Sequence, residues 1–395
     1  MKKIFLTLSF ILFTTLTAFG QFSSDSTLDV VTWNIEWFGS TGNGPDNENL
    51  QLQNTAAVMS TLGSDLFALQ EIIDQDALDD LTTELNTLSN TQNYTGFVAG
   101  HISGSQKTAY IYNSSVIQLR AFSSITQGGS SFSWASRLPY VMEFDYSYDG
   151  NNYSITAINI HAKAFSDESS YNRRVDAASD LHDYLAANRS GESIIFLGDY
   201  NDDVDRSIYN DEQTPYIDFV IDLSNYKVLS KSLSDARKSS TTGFDEMIDH
   251  ITISNELFDF YVDGSTDLHE PEDYIQDYDG TTSDHYPVYS RFLFGSTTSS
   301  EDLLQVPDQV TLSQNYPNPF NPVTQIDFSL NQSGIINLEV YNLLGQKVAA
   351  LINGERYGAG THTVSFDAST LSSGLYIYRL QTADVVLTRS MSLVK

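Results

Sequence analysis

Between residues 27 and 294 the apolar positions fall into two rhythms. "LDVVTWNIEWF" alternates, with Val31, Trp33 and Ile35 on one face and Thr32, Asn34 and Glu36 on the other, which predicts a strand. "SDLFALQEI" is a second apolar strand that stops at Gln70 and Glu71. "QDALDDLTTELNTL" sets Leu78, Leu81, Leu85 and Leu88 on one helical face. "TAYIYN" and "RLPYVMEFDY" read as strands, the latter turning at "YDGNNY". "YSITAINIHAKA" follows, with Asn159, His161 and Lys163 sharing a face. "YNRRVDAASDLHDYLAAN" has helical spacing, with Val175, Ala178, Leu181 and Leu185 directed inward. "SIIFLGDYNDD" runs from Ile194 to Leu197 as a buried strand and halts at Gly198; "MIDHITIS" and "DHYPVYSRFLF" add two more strands. Tight turns join some of these strands and helical crossovers join others, so the sheets are expected to be mixed.

The pattern changes twice. Residues 295–311, "GSTTSSEDLLQVPDQV" and one residue more, are small and polar and read as a linker. Residues 312–395 alternate in short strands punctuated by Pro and Asn, as a small all-β sandwich does. At the other end Lys2 and Lys3 precede an apolar run from Ile4 to about Leu16, then Ala18, Phe19 and Gly20. This order marks residues 1–20 as a signal peptide, too short for a span of about 20 residues. A catalytic domain is therefore placed at 21–294. With no other long apolar stretch, no stable membrane insertion is expected, and no internal repeat of solenoid length is evident.

Charge narrows the chemistry. The chain has 51 acids against 20 Lys and Arg, a formal net charge of −31, which opposes long-range attraction of polyanions. There is no cysteine, so disulfides, zinc thiolates and thiol catalysis are excluded. The acids are not spread evenly. Asn34 and Glu36, Gln70 and Glu71, Asn159 and His161, Asp199 and Asn201, Asp249 and His250, and Asp284 and His285 all fall where an apolar run ends. Strand ends are rigid and can bring side chains together at one sheet edge. Converging carboxylates repel unless a cation or a shared proton relieves them. An oxygen-rich set of this kind suits Mg²⁺, with Mn²⁺ or Ca²⁺ as substitutes, and the histidines suit proton transfer or phosphate binding. His250 directly follows Asp249 on a strand and should face the other way, in a structural role. Asp199, Asn201, Asp203 and Asp205 imitate the spacing of a calcium loop, but Val204 stands where that loop needs Gly and Asn210 where it needs Glu.

"TWNIEWFG", "LQE", "NIHAKA", "LGDYND", "MIDHI" and "SDHYPV" together resemble, in order, the motifs of the endonuclease/exonuclease/phosphatase superfamily, whose members include DNase I-like nucleases, sphingomyelinases and inositol polyphosphate phosphatases. The resemblance implies a DNase I-like α/β four-layer sandwich of two mixed sheets flanked by helices. It also implies a divalent metal and hydrolysis of a phosphate ester by in-line attack of water. It makes Glu71 the main metal ligand, supported by Asn34 and Asp284. Asp199 would orient or deprotonate the water, Asn201 would position the phosphate, and His285, polarised by Asp249, would contact it. His161 would stabilise charge or protonate the leaving oxygen. Asn159, Arg137, Lys163 and Arg173 would bind substrate, and Glu36 stands where other members carry a variable acid.

"NYPNPFNP", "YNLLGQKV" and "SGLYIYRL" resemble the type A C-terminal sorting domain of the type IX secretion system. That implies the secretion machinery as a partner and a product that is secreted or attached to the cell surface once signal peptide and sorting domain are removed. The chain is expected to act as a monomer. The leading expectation is a secreted metal-dependent nuclease on extracellular DNA or RNA. A phosphodiesterase or phosphatase on phospholipid head groups or inositol phosphates, and a catalytically dead binding protein, are the alternatives.

Overall fold

The computed structural model describes residues 27–89 and 92–294. It also describes residues 310–395, apart from 313–314, 316–317, 319, 331–333, 343–345, 358–359 and 383–384. The expected signal peptide and nearly all of the expected linker lie outside the described residues. Two compact units divide the chain, Met1–Gly295 and Ser296–Lys395.

In the first unit the chain runs through β1 (Thr27–Phe38), α1 (Glu48–Leu62), β2 (Leu66–Ile72), α2 (Gln75–Leu88), β3 (Tyr94–Val98) and β4 (Lys107–Asn113). It continues through β5 (Ile117–Ser124), β6 (Tyr140–Tyr148), β7 (Asn151–His161), α3 (Glu168–Asn188) and β8 (Ile194–Asp199). Strands β9 (Tyr226–Val228), β10 (Asp249–Ser254), β11 (Asp267–Leu268) and β12 (Val288–Leu293) complete it. Two six-stranded sheets result, ordered β11-β12-β1-β2-β4-β3 and β5-β6-β7-β8-β10-β9. Within each sheet one central pair is parallel, β1 with β2 and β7 with β8, and their other partners are antiparallel.

Strand alternation distributes the apolar residues between layers. Leu28 and Val30 of β1, Leu66 and Ala68 of β2, and Ile195 and Leu197 of β8 meet between the sheets. Val31, Trp33 and Ile35 turn the other way and pack under α1 and α2. Ile194 and Phe196 pack under α3. The architecture is therefore a helix–sheet–sheet–helix sandwich of two mixed sheets. Leu78, Leu81 and Leu85 are buried as the α2 spacing predicts, but Leu88 is exposed, because it lies in the last turn. In α3 the buried stripe is Arg174, Ala177, Ala178, Leu181 and Leu185, with Val175 only half-buried. A paired arginine displaces valine from the inward face.

The interface between the sheets also holds a polar bolt. Asn159, fully buried, donates Nδ2 to the carbonyl oxygens of Leu69 (3.0 Å) and Ala109 (2.9 Å) and accepts from Gln70 Nε2 at 2.8 Å. Asn159 was expected to bind substrate; its amide is instead spent between the sheets, holding one to the other. Gly198 lets β8 close on β7: at φ +147° it leaves room where a Cβ would lie 2.2 Å from the Ile160 carbonyl oxygen.

The second unit is all-β, with antiparallel three- and four-stranded sheets. Ile326, Phe328, Leu338, Val340, Tyr378 and Leu380 lie in its core.

Asn159→Leu would strand two buried carbonyls and a glutamine donor. It is expected to cost about 2–5 kcal/mol, read as a lower denaturation midpoint at unchanged slope. An unchanged midpoint would deny the bolt.

Candidate active site

A parallel pair delivers the carboxyl ends of both strands to the same sheet edge, and an antiparallel neighbour delivers its beginning there. Asn34 and Glu71 accordingly lie where the regular β1–β2 ladder breaks, toward the ends of those strands, and His161 and Asp199 end β7 and β8 at matched register. Asp249 opens β10 opposite Asp199, and His285 precedes β12, the antiparallel neighbour of β1. The six motif segments thus converge on one edge.

Backbone irregularity aims the acids. Glu36, Trp37 and Glu71 have φ of 31°, 52° and 64°, at register shifts in β1 and β2. Such conformations cost about 1–3 kcal/mol each for residues with a Cβ and persist where neighbours enforce them. Gln51 of α1 does so by donating Nε2 to the carbonyls of Ile35 (3.1 Å) and Glu36 (2.9 Å), and the Trp37 amide donates to Glu71 Oε2 at 3.0 Å.

At the centre, Asn34 Nδ2 donates to Asp199 Oδ2 (3.0 Å) and reaches Glu71 Oε1 (3.4 Å). Its Oδ1 accepts from the Glu36 amide at 3.1 Å. Asn34 was expected to support the metal; its Oδ1 accepts this one bond, and its nitrogen bridges the two carboxylates. His161 Nε2 lies 3.7 Å from Glu71 Oε1 and 3.6 Å from Asp199 Oδ2. Burial, then Arg137 and His285, drive the pKa of His161 well below its ordinary value. Asp199 Oδ1 accepts from the amide of Asn201, which sits at φ 52° and donates Nδ2 to the Ala162 carbonyl at 3.3 Å. Burial and then Asp249 push the Asp199 pKa up to about 7.

His285 Nδ1 lies 2.7 Å from Asp249 Oδ2, which also accepts from Ser240 Oγ at 2.8 Å. Burial alone would lower the imidazole pKa, but Asp249, through charge and hydrogen bond, and then Asp199 and Asp284 outweigh it and hold it well above the usual value. The backbone is pinned as well: Trp33 Nε1 and the Tyr278 hydroxyl both donate to the His285 carbonyl, and Ser283 Oγ accepts from the His285 amide while donating to the Asn34 carbonyl. Ser240, Ser283, Tyr278 and Gln51 carry no chemical signature in the sequence, since serines, tyrosines and glutamines are ordinary loop and helix residues; only their positions reveal them. Asp284 is half-exposed, with Oδ1 3.9 Å from His285 Nε2.

The donor set fits a hard divalent cation. Glu36 is lifted to about 7 by burial and then by Asp284, Asp279 and Glu71, the repulsion expected of acids crowded without a counter-charge. Single ligand atoms of Asp199, Asp249 and His285 also lie within 4.8 Å of one another. The His285 nitrogen facing Asp249 is already engaged there, which leaves Glu71, Glu36 and Asp284 as the freer oxygen donors. Arg137 was expected to bind substrate. Its Nε and Nη2 donate instead to the carbonyls of His161 (3.0 Å) and Ala162 (2.7 Å), so it positions His161. Lys163 donates to the Ala164 carbonyl and Arg173 to that of Phe132. His250 points away, bonded to Ser230 and near the Met247 carbonyl, in the structural role its register predicts.

In the metal-free protein the His285 imidazolium contributes stability that is complete below the unfolded value near 6.5 and fades as pH rises through its raised folded value. Asp249→Asn is expected to bring the ring back toward its ordinary titration and flatten that part of the stability–pH curve, read by imidazole NMR and denaturation at several pH values. A titration left unmoved would separate the two residues.

A model of the Endonuclease/Exonuclease/phosphatase family matches residues 31–285, and one of the Secretion system C-terminal sorting domain matches residues 314–393. No curated protein matches the chain. Among solved structures the chain is similar to the human Nocturnin catalytic domain with bound sulfate anion, at 15% identity and TM-score 0.46 over 68% of this chain and 94% of that one. It is similar to an endonuclease/exonuclease/phosphatase from Beutenbergia cavernae, at 13% identity and TM-score 0.48 over 93% and 100%. It is also similar to a mannosyl-6-phosphatase of Bacteroides thetaiotaomicron, at 15% identity and TM-score 0.46 over 68% and 100%. The sorting domain directs the product to secretion or to the cell surface, and no helix among the described residues is long and apolar enough to cross a membrane. The chain belongs to the Endonuclease/Exonuclease/phosphatase family, a family of phosphoester hydrolases.

Proposed function

We propose that this protein is a secreted, Mg²⁺-dependent nuclease that hydrolyses phosphodiester bonds of extracellular DNA or RNA. The observation that carries the reading is the convergence of His161, Asp199 and an Asp249-held His285 at one buried edge, with His161 Nε2 3.6 Å from Asp199 Oδ2 and His285 Nδ1 2.7 Å from Asp249 Oδ2. In-line hydrolysis needs these functions: a group that accepts the proton of the attacking water, and groups that neutralise charge on phosphate oxygens as it builds.

Asp199, fixed by Asn34 and the Asn201 amide, suits the first role, since a carboxyl that titrates near neutral pH can accept a proton there. The His285 Nε2–H is free to donate to a phosphate oxygen while Nδ1 stays on Asp249. His161 Nε2, close to both Glu71 and Asp199, is placed to bond the phosphate or leaving oxygen. Glu71 would hold the cation with Glu36 and Asp284 beside it, and the cation would supply Lewis-acid polarisation of the phosphate. Export favours a polymer too large to be taken up whole. The net charge of −31 favours the second reading, a phosphodiesterase or phosphatase on lipid head groups or inositol phosphates, which present less charge than a polynucleotide.

Incubation with plasmid DNA, RNA and a panel of lipid and inositol phosphates, with Mg²⁺ or with chelator, decides between them. Nucleic acid cleavage is expected to stop in chelator and to fall at least about 100-fold in Asp199→Ala and in His285→Ala. Retained cleavage in both variants would overturn the site, and activity confined to the lipid or inositol substrates would promote the second reading.

A further inference from the structure

Two adjacent arginines on α3 bind two different loops. Arg174, fully buried, pairs with Asp202 at 2.8 Å and donates Nη1 to the carbonyls of Lys163 (2.7 Å) and Phe165 (2.8 Å), in the loop after β7. Arg173 donates Nε and Nη2 to the Phe132 carbonyl, in the loop before β6. One turn of helix therefore ties the two loops together. Each presents a phenylalanine to solvent, Phe132 at 68% and Phe165 at 70% exposure.

A single exposed apolar side chain needs no explanation. These two differ in three respects. Each ring carries a cation 4.2 Å from its centroid, Arg173 over Phe132 and Lys163 over Phe165. Phe165 is held at φ 81°, unfavourable for a bulky residue, by the grip of Arg174 on its carbonyl. The loop that carries Phe165 begins directly after His161, whose carbonyl Arg137 anchors. Burial and then Arg173 lower the pKa of Lys163, as a neighbouring cation does.

We propose that Phe132 and Phe165, with Arg173 and Lys163, form a platform on which bases of a single-stranded polynucleotide stack next to the scissile phosphate. A single strand offers base faces and phosphates in alternation, and the platform offers rings and cations in the same alternation. A duplex keeps its base faces stacked inside and gains nothing from the rings. A lipid surface is the competing occupant, but the paired cations suit the phosphates of a strand as the rings suit its bases. The proposal rests on the nuclease reading above.

The test uses the whole chain, Phe132→Ala, Phe165→Ala, the double variant and Phe132→Trp. Binding of a labelled single-stranded oligonucleotide and of its duplex is measured by anisotropy in chelator. Turnover is measured on the same oligonucleotide and on methyl p-nitrophenyl phosphate, a diester without a base. The double variant is expected to weaken single-strand binding and raise KM about 10- to 100-fold with kcat and small-diester turnover unchanged; Phe132→Trp retains binding. Unchanged single-strand binding overturns the platform. Equal losses on oligonucleotide and small diester overturn it too, since they reduce the rings to supports of the active site. A loss seen only on phosphatidylcholine or sphingomyelin vesicles assigns the rings to a membrane and sinks the proposal. A wild type that binds single strands through these rings but cleaves no phosphodiester denies the nuclease reading while keeping the platform.

Discussion

A carboxylate with no exposure to solvent, placed against an imidazolium, is the interaction on which the catalytic unit depends. Asp249 is fully buried, and an ion in that position is tolerated only when it is paired and hydrogen-bonded. His285 and Ser240 meet that demand at Oδ2. Meeting it fixes the rest. The His285 loop must lie over β10, which requires β12 to return antiparallel beside β1, and Trp33 and Tyr278 then hold the same loop through its carbonyl. Removing either partner would leave a buried group unpaired, so the chemistry and the packing of this edge are one constraint.

The edge exists because two parallel pairs lie in facing sheets. Hydrophobic contact between β1, β2 and β8 is not directional and would tolerate a slide of one sheet on the other. The Asn159–Gln70 bolt, bonded to carbonyls of β2 and β4, supplies the direction. The position of His161 relative to Glu71 depends on it, since the two residues belong to different sheets and Asn159 and Gln70 are their near neighbours in sequence. Polar groups in a core cost stability when unsatisfied, and here they convert that penalty into register.

Much of this was legible in the sequence. The Ile194–Leu197 run ending at Gly198, the alternation in β1 and the leucine spacing of α2 reported their own layers, because period and burial are local properties. His161, Asp199, Asp249 and His285 were legible as a set for the same reason: each stands where an apolar strand stops. The failures share a cause. Asn159 was read as a site residue because it stands beside His161, whereas its role follows from carbonyls on other strands. Arg137 was read as a substrate contact because it is cationic, whereas its donors are consumed by the chain after β7. Ser240, Gln51 and the rings of Phe132 and Phe165 gave no signal, since nothing in residue type separates a serine that bonds a buried aspartate from one in any loop. Sequence pattern reports which face is buried; it does not report what a buried amide bonds.

The net charge poses the remaining question, because a chain at −31 should repel a polynucleotide. Range resolves it. Fields from scattered surface carboxylates decay over a Debye length of about 10 Å at 0.1 M salt, whereas contacts within the site act at hydrogen-bond distance in a poorly hydrated pocket. Arg137 lies beside His161, and burial and then the neighbouring arginines, Arg173 foremost, lower the Lys163 pKa on the loop that follows. Arg174 is neutralised by Asp202, whereas Arg137 spends donors on backbone carbonyls and keeps its charge. The surface can therefore be hostile to polyanions at a distance while the last few ångströms around the phosphate are not, and the acidity bears on the rate of encounter more than on the chemistry of the edge.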